Sequence, residues 1–99
     1  MPMFNRITSA TARPQLRSKV RLRVDPRTGH DILLYPERGL ELNQTGTEIA
    51  RLCTGVMTIA DIEHHLARRY SDISPDEIRR EVLYFLNALV GRGLIVCHD

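Results

Sequence analysis

From Leu16 to Val24 the chain alternates strictly, with Leu16, Ser18, Val20, Leu22 and Val24 on one side and Arg17, Lys19, Arg21 and Arg23 on the other. A period of two predicts a half-buried strand with a cationic outer row. Asp25, Pro26 and Gly29 supply turn chemistry, so the continuous apolar run Ile32, Leu33, Leu34 and Tyr35 reads as an antiparallel partner. Pro36 and Gly39 punctuate a second turn, and Leu40 and Leu42 alternate with Glu41 in a short third strand. Asn43 ends that strand as a helix N-cap, which leaves little room for an active-site loop.

Beyond Asn43 the period lengthens to that of a helix. Helix one is predicted from the Asn43 cap to about Thr54, with Ile49, Leu52, Cys53 and Val56 near helical spacing and Gly55 as its stop. Gly46 in its first turn is a weak point, costing up to about 1 kcal/mol against Ala. Thr58 caps helix two, whose stripe is Ile59, Ile62, Leu66 and Tyr70. Ser74, Pro75 and Glu77 start helix three as cap, first helical residue and capping-box partner, and the helix continues to about Val90. Its central stripe is Ile78, Val82, Phe85 and Leu89, and Leu83, Leu86 and Val90 carry the apolar surface round one side. Either this wide face packs against both the sheet and the other helices, or its flank lines a groove beside the sheet edge. Residues 94 to 97 form a short apolar tail suited to extending or covering the sheet. The order is that of an α+β, winged-helix-like fold, with a three-stranded antiparallel sheet followed by three helices.

Ninety-nine residues with 42% hydrophobic content suit one domain, placed at residues 13–99 behind a flexible extension at 1–12. No apolar run approaches the roughly 18 residues of a membrane span, and MPMFNRITSATARP has no hydrophobic signal core. The expectation is a cytoplasmic protein without membrane contact. Cys53 and Cys97 lie in no metal-binding spacing and read best as buried thiols. His64 and His65 are adjacent, so on a helix they diverge by about 100° and do not chelate one ion together. No nucleophile with its base, carboxylate pair or glycine-rich phosphate loop is evident, so neither catalysis nor a metal or cofactor is expected.

Charge adds an asymmetry that the net +2 conceals. Residues 1 to 24 hold six basic side chains and no acid, leaving 8 basic and 12 acidic residues for the rest, a net of −4. The winged-helix pattern raises nucleic-acid binding as the alternative function. Helix three speaks against it, because Arg79 and Arg80 are outnumbered there by Asp76, Glu77 and Glu81. An open sheet edge, by contrast, is a place where peptides bind.

The segments LLYPERGLELNQTG (33 to 46), LCTG (52 to 55), TIADI (58 to 62) and FLNALVGRGLI (85 to 95) resemble the PqqD family of pyrroloquinoline quinone biosynthesis. The resemblance spans about residues 14 to 96 and centres on Pro36, Glu37, Leu42, Asn43 and Thr45. It departs at Gly46, where the family commonly has Ala, at Thr54, where it has Asp, and in the N-terminal extension.

The resemblance implies a non-catalytic peptide chaperone without cofactor. Such a protein binds the ribosomal precursor peptide PqqA and presents it to the radical S-adenosylmethionine enzyme PqqE, which joins a Glu and a Tyr of that peptide. In this class of recognition elements for ribosomally made, modified peptides, the leader adds as a strand at the third strand's edge and rests on the third helix. Carried over, the docking strand is Gly39, Leu40, Glu41, Leu42 and Asn43, and the wall is Arg79, Leu83, Leu86 and Val90. Arg79 is placed either to pair with a peptide carboxylate or as a plain solvated arginine. Arg17, Lys19, Arg21 and Arg23 either meet the partner enzyme or keep the sheet soluble. A homodimer through edge pairing or exchange of the N-terminal segment is compatible with the pattern.

Overall fold

The strictly alternating stretch builds two strands rather than one. In the structure, a computed structural model that describes residues 9–36 and 38–98, β1 spans Arg13–Leu16 and β2 spans Arg21–Val24. Between them the Val20 N–H donates to the Arg17 carbonyl at 3.0 Å, closing a turn. Both strands keep the same alternating phase across that turn, so the pattern alone does not reveal the break. The cationic row is divided with it: Arg17 and Lys19 lie on the turn, and Arg21 and Arg23 on β2.

β2 forms an antiparallel hairpin with β3, Asp31–Tyr35, in which Leu22 faces Leu33 and Arg23 faces Ile32. Its loop is closed by the Asp25 N–H donating to the His30 carbonyl at 2.8 Å. Gly29 takes φ +77 there, a left-handed conformation that favours glycine. β4, Arg38–Leu42, pairs with the other side of β3, with Leu40 opposite Leu33 and Leu42 opposite Asp31. The strand order is therefore β2-β3-β4, and Leu33 at its centre is fully buried.

The apolar tail after helix three does not extend this sheet. As β5, Ile95–His98, it pairs antiparallel with β1 in a separate two-stranded ribbon, Leu16 opposite Ile95 and Arg13 opposite His98.

Side-chain caps set the helix starts. α1, Gln44–Leu52, begins where Asn43 Oδ1 accepts from the Gly46 N–H at 2.7 Å. It stops earlier than expected: Gly55 has φ +87, and Val56 stands outside the helix, 77% exposed. α2, Ile59–Arg69, carries the reciprocal capping box, with Thr58 and Asp61 each bonding the other's backbone N–H. α3, Pro75–Gly91, starts with Ser74 Oγ accepting from the Glu77 N–H at 3.2 Å.

The carbonyls of Ala10 and Ala12 accept from the Ala60 and Ile59 N–H groups, so residues 10 and 12 satisfy two of the donors a helix start leaves open. Of the extension expected at 1–12, residues 1–8 lie outside the described residues.

Ile49, Ile59, Ile62, Leu66, Val82, Leu86 and Leu89 interlock the three helices with Leu33 and Leu94. Each such burial contributes about 1.5–3 kcal/mol. Tyr70 Oη and Arg69 Nε both donate to Glu48 Oε2 at 2.7 Å and tie the end of α2 to α1. No helix among the described residues is long and apolar enough to cross a membrane.

Candidate functional site

β4 has β3 on one side and no strand on the other among the described residues. Its free edge carries backbone N–H and C=O groups that another strand can pair. Leu40 and Leu42 turn inward, Leu42 fully into the core, while Gly39 and Glu41 are exposed on the outer face. Glu41 hydrogen-bonds His30 Nδ1 from the hairpin loop. Gly39 makes room for its neighbours: a Cβ there would lie 3.2 Å from Ile32 Cδ1 and 3.5 Å from Leu34 Cδ2. Of the residues expected to dock a peptide, Gly39, Leu40, Glu41 and Leu42 are strand, and Asn43 is engaged as the α1 cap.

The helix residues expected to form the opposite wall differ in their surroundings. Arg79 turns toward α2, 4.0 Å from Glu63 Oε1, and also lies 3.6 Å from Asp76 Oδ1. Leu86 is fully buried, so a ligand on the surface does not reach it. Leu83 and Val90 are half-buried against the core.

The flank of α3 that meets the β4–α1 junction carries Phe85 instead. A Cβ on Gly46 would lie 3.1 Å from the Phe85 ring and 3.1 Å from Asn43 Oδ1, so ring and cap amide converge on one point. One turn earlier, Glu81 shares a small cavity of about 40 Å³ with Thr45, Leu66, Tyr70 and Ile73. At about 100° per residue, Leu83 lies roughly 160° round the helix from Phe85.

Sequence reasoning placed Phe85 on the central stripe and missed its contact with the β4–α1 junction. The available signal was Gly46. A glycine inside a first helical turn costs helix stability, but here it admits the aromatic ring.

The titratable groups are structural. Burial, reinforced by Cys97, pushes the Cys53 thiol up to about 12, so it stays neutral at physiological pH. Its Sγ donates to the Ile49 carbonyl at 3.3 Å. The Glu48 hydrogen bond, with some desolvation, raises Tyr70 above the ordinary phenol range. The Arg27 backbone N–H, then its guanidinium, holds the Asp25 carboxyl below its usual value. Among the described residues no group of three His, Cys, Asp or Glu side chains is placed to hold a metal ion.

A known structure shares this architecture. The solution NMR structure of the PqqD truncation of Methylobacterium extorquens PqqCD, described as a functional and stand-alone recognition element for ribosomally synthesised and post-translationally modified peptides, aligns with TM-score 0.76 and 28% identity. The alignment covers 92% of this chain and 96% of that one. The fold is thus that of a recognition element of this class.

Among curated relatives, the PqqA binding protein of Rhodopseudomonas palustris strain TIE-1 is 36% identical over 87 residues, 88% of this chain and 84% of its own. That of Azotobacter vinelandii is 34% identical over 85 residues, 86% of this chain and 90% of its own. The family model for coenzyme PQQ synthesis protein D matches residues 32–95, and the chain belongs to that family, PqqD.

Proposed function

We propose that this protein is a non-catalytic cytoplasmic adaptor that binds the ribosomal precursor peptide PqqA as an added strand on β4 and presents it to the radical S-adenosylmethionine enzyme PqqE. The observation that carries the reading is the open β4 edge, which runs directly into the Asn43–Gly46–Phe85 junction. A disordered peptide gains backbone hydrogen bonds along residues 39 to 42, and one face of it meets the Phe85 flank of α3. Ordering the peptide costs several kcal/mol, about 2–5, and keeps the complex reversible, which suits a carrier that must hand its cargo on.

Arg79 acts in this reading as a support toward α2, and Leu86 as the core anchor of the helix. Arg17, Lys19, Arg21 and Arg23 remain the proposed surface for the enzyme, now in two groups, one on the 17–20 turn and one on β2. Self-pairing through β4 would compete with the peptide, so a homodimer of that kind dissociates as PqqA is added.

Fluorescence anisotropy with labelled synthetic PqqA tests the proposal. The expected result is saturable one-to-one binding, followed by a three-component complex with PqqE in native mass spectrometry. Absence of peptide binding, or displacement of the peptide by PqqE without a three-component complex, contradicts it.

A further inference from the structure

The β1–β5 ribbon carries a second open edge, in surroundings unlike those of β4. β5 pairs with β1 alone, and its other edge faces no strand among the described residues. Next to it lies an open depression of about 470 Å³, whose lining includes Gln15, Leu16, Arg17, Lys19, Val96 and His98. His98 Nε2 meets Gln15 Oε1 at 2.8 Å across the ribbon, and Val96, 36% exposed, forms the apolar part of the surface together with Leu16.

The charge there is one-sided. Residues 13 to 21 and 95 to 98 contain Arg13, Arg17, Lys19 and Arg21 and no acid; Asp99, the next residue, lies outside the described residues. Arg27, Arg69 and Arg79 each sit by a carboxylate, at 3.3, 2.7 and 3.6 Å. Arg17 and Lys19 have none among the described residues, and Arg21 turns back to the carbonyls of Ser18 and Val20, bracing the turn that displays them. Cations concentrated beside a strand edge, without internal counter-charges, are complementary to an acidic extended segment. Backbone pairing at β5 provides the attachment, and Arg17 and Lys19 the selection by charge.

We propose that the β5 edge and its basic depression form a second strand-docking site, which takes an extended acidic segment of the partner enzyme while the peptide occupies β4. The site follows from the geometry of the ribbon, and only the identity of the partner rests on the adaptor reading above. Two edges on two separate sheets let cargo and enzyme bind at once without competing for one strand.

The test uses ¹⁵N-labelled protein and a synthetic heptapeptide alternating glutamate and valine, with its lysine counterpart and an oligothymidylate of matching charge as controls. The acidic peptide should shift the amides of Gln15, Val96 and His98. The double substitution Arg17→Glu and Lys19→Glu should weaken its binding at least tenfold and weaken PqqE binding, while PqqA affinity stays within twofold. Retained PqqA binding in that variant separates a failure of this site from a failure of the β4 reading. No shift on the ribbon, shifts confined to β4, or equal binding of oligothymidylate at the same amides overturns the site. Unchanged PqqE binding in the double variant overturns the assignment of its partner.

Discussion

β4 and β5 are both short edge strands, of five and four residues, and they offer similar backbone hydrogen-bonding capacity. Their neighbours differ. The outer face of β4 carries Glu41 paired to His30, an exposed glycine beside Ile32 and Leu34, and an end that abuts an aromatic ring on α3. β5 lies beside Arg17 and Lys19, which have no carboxylate partner among the described residues. An edge in a small domain is thus a generic attachment point, and the side chains around it decide what attaches. On the proposed reading, β4 reads shape and β5 reads charge.

Both edges hang on one core, so the largest expected effect removes the comparison altogether. Leu86→Ala should cost about 2–5 kcal/mol, because Leu86 is fully buried among the helices. A urea unfolding curve measures this, and a loss under 1 kcal/mol would show that Leu86 is not the core anchor described.

The next effect separates the edges. Phe85→Ala is expected to weaken PqqA binding on the order of tenfold, about 1.4 kcal/mol, and to leave the acidic heptapeptide unaffected. Leu83→Ala should change PqqA affinity less than threefold. Anisotropy titrations of both variants decide which flank of α3 faces the peptide; the reverse ranking places the wall on the Leu83 side.

Ser74→Ala removes the α3 cap and should lower stability by about 1 kcal/mol without altering either edge. Calorimetry beside the two titrations checks both halves of that statement. The smallest effect concerns the two thiols, Cys53 at the end of α1 and Cys97 on β5. Cys97 should be alkylated by iodoacetamide well before Cys53, which is 3% exposed and holds its proton to about pH 12. Mass spectrometry of the labelled peptides gives the order, and faster labelling of Cys53 would mean that the core at the end of α1 opens readily.

Much of the architecture was legible because its signals are local. Asn43, Thr58 and Ser74 each cap the helix they were expected to cap, since a cap needs only the right side chain a few residues ahead of its amide. The run 32–35 and the hairpin before it follow equally from neighbours in the chain. The break between β1 and β2 was hidden, because a turn that restarts the same phase leaves strict alternation intact. Pairing of Leu16 with Ile95 was hidden for another reason: it joins opposite ends of the chain and leaves no periodic trace.

The candidate site divides along the same line. Residues 39 to 43 could be placed on a strand and a cap from their own pattern. Periodicity gave the width of the apolar face of α3 but not what each flank meets. That depends on contacts in space, such as that between Phe85 and Gly46, so the proposed reading adds Phe85 to a wall expected at Arg79, Leu83, Leu86 and Val90.

The most direct measurement is a titration of ¹⁵N-labelled protein with unlabelled PqqA, followed amide by amide. Saturable shifts at Gly39, Leu40, Glu41 and Leu42 together with Phe85, and a quiet β5, are the result expected of a strand added to β4. Shifts confined to β2 or to the β1–β5 ribbon, with residues 39 to 42 unmoved, would contradict it.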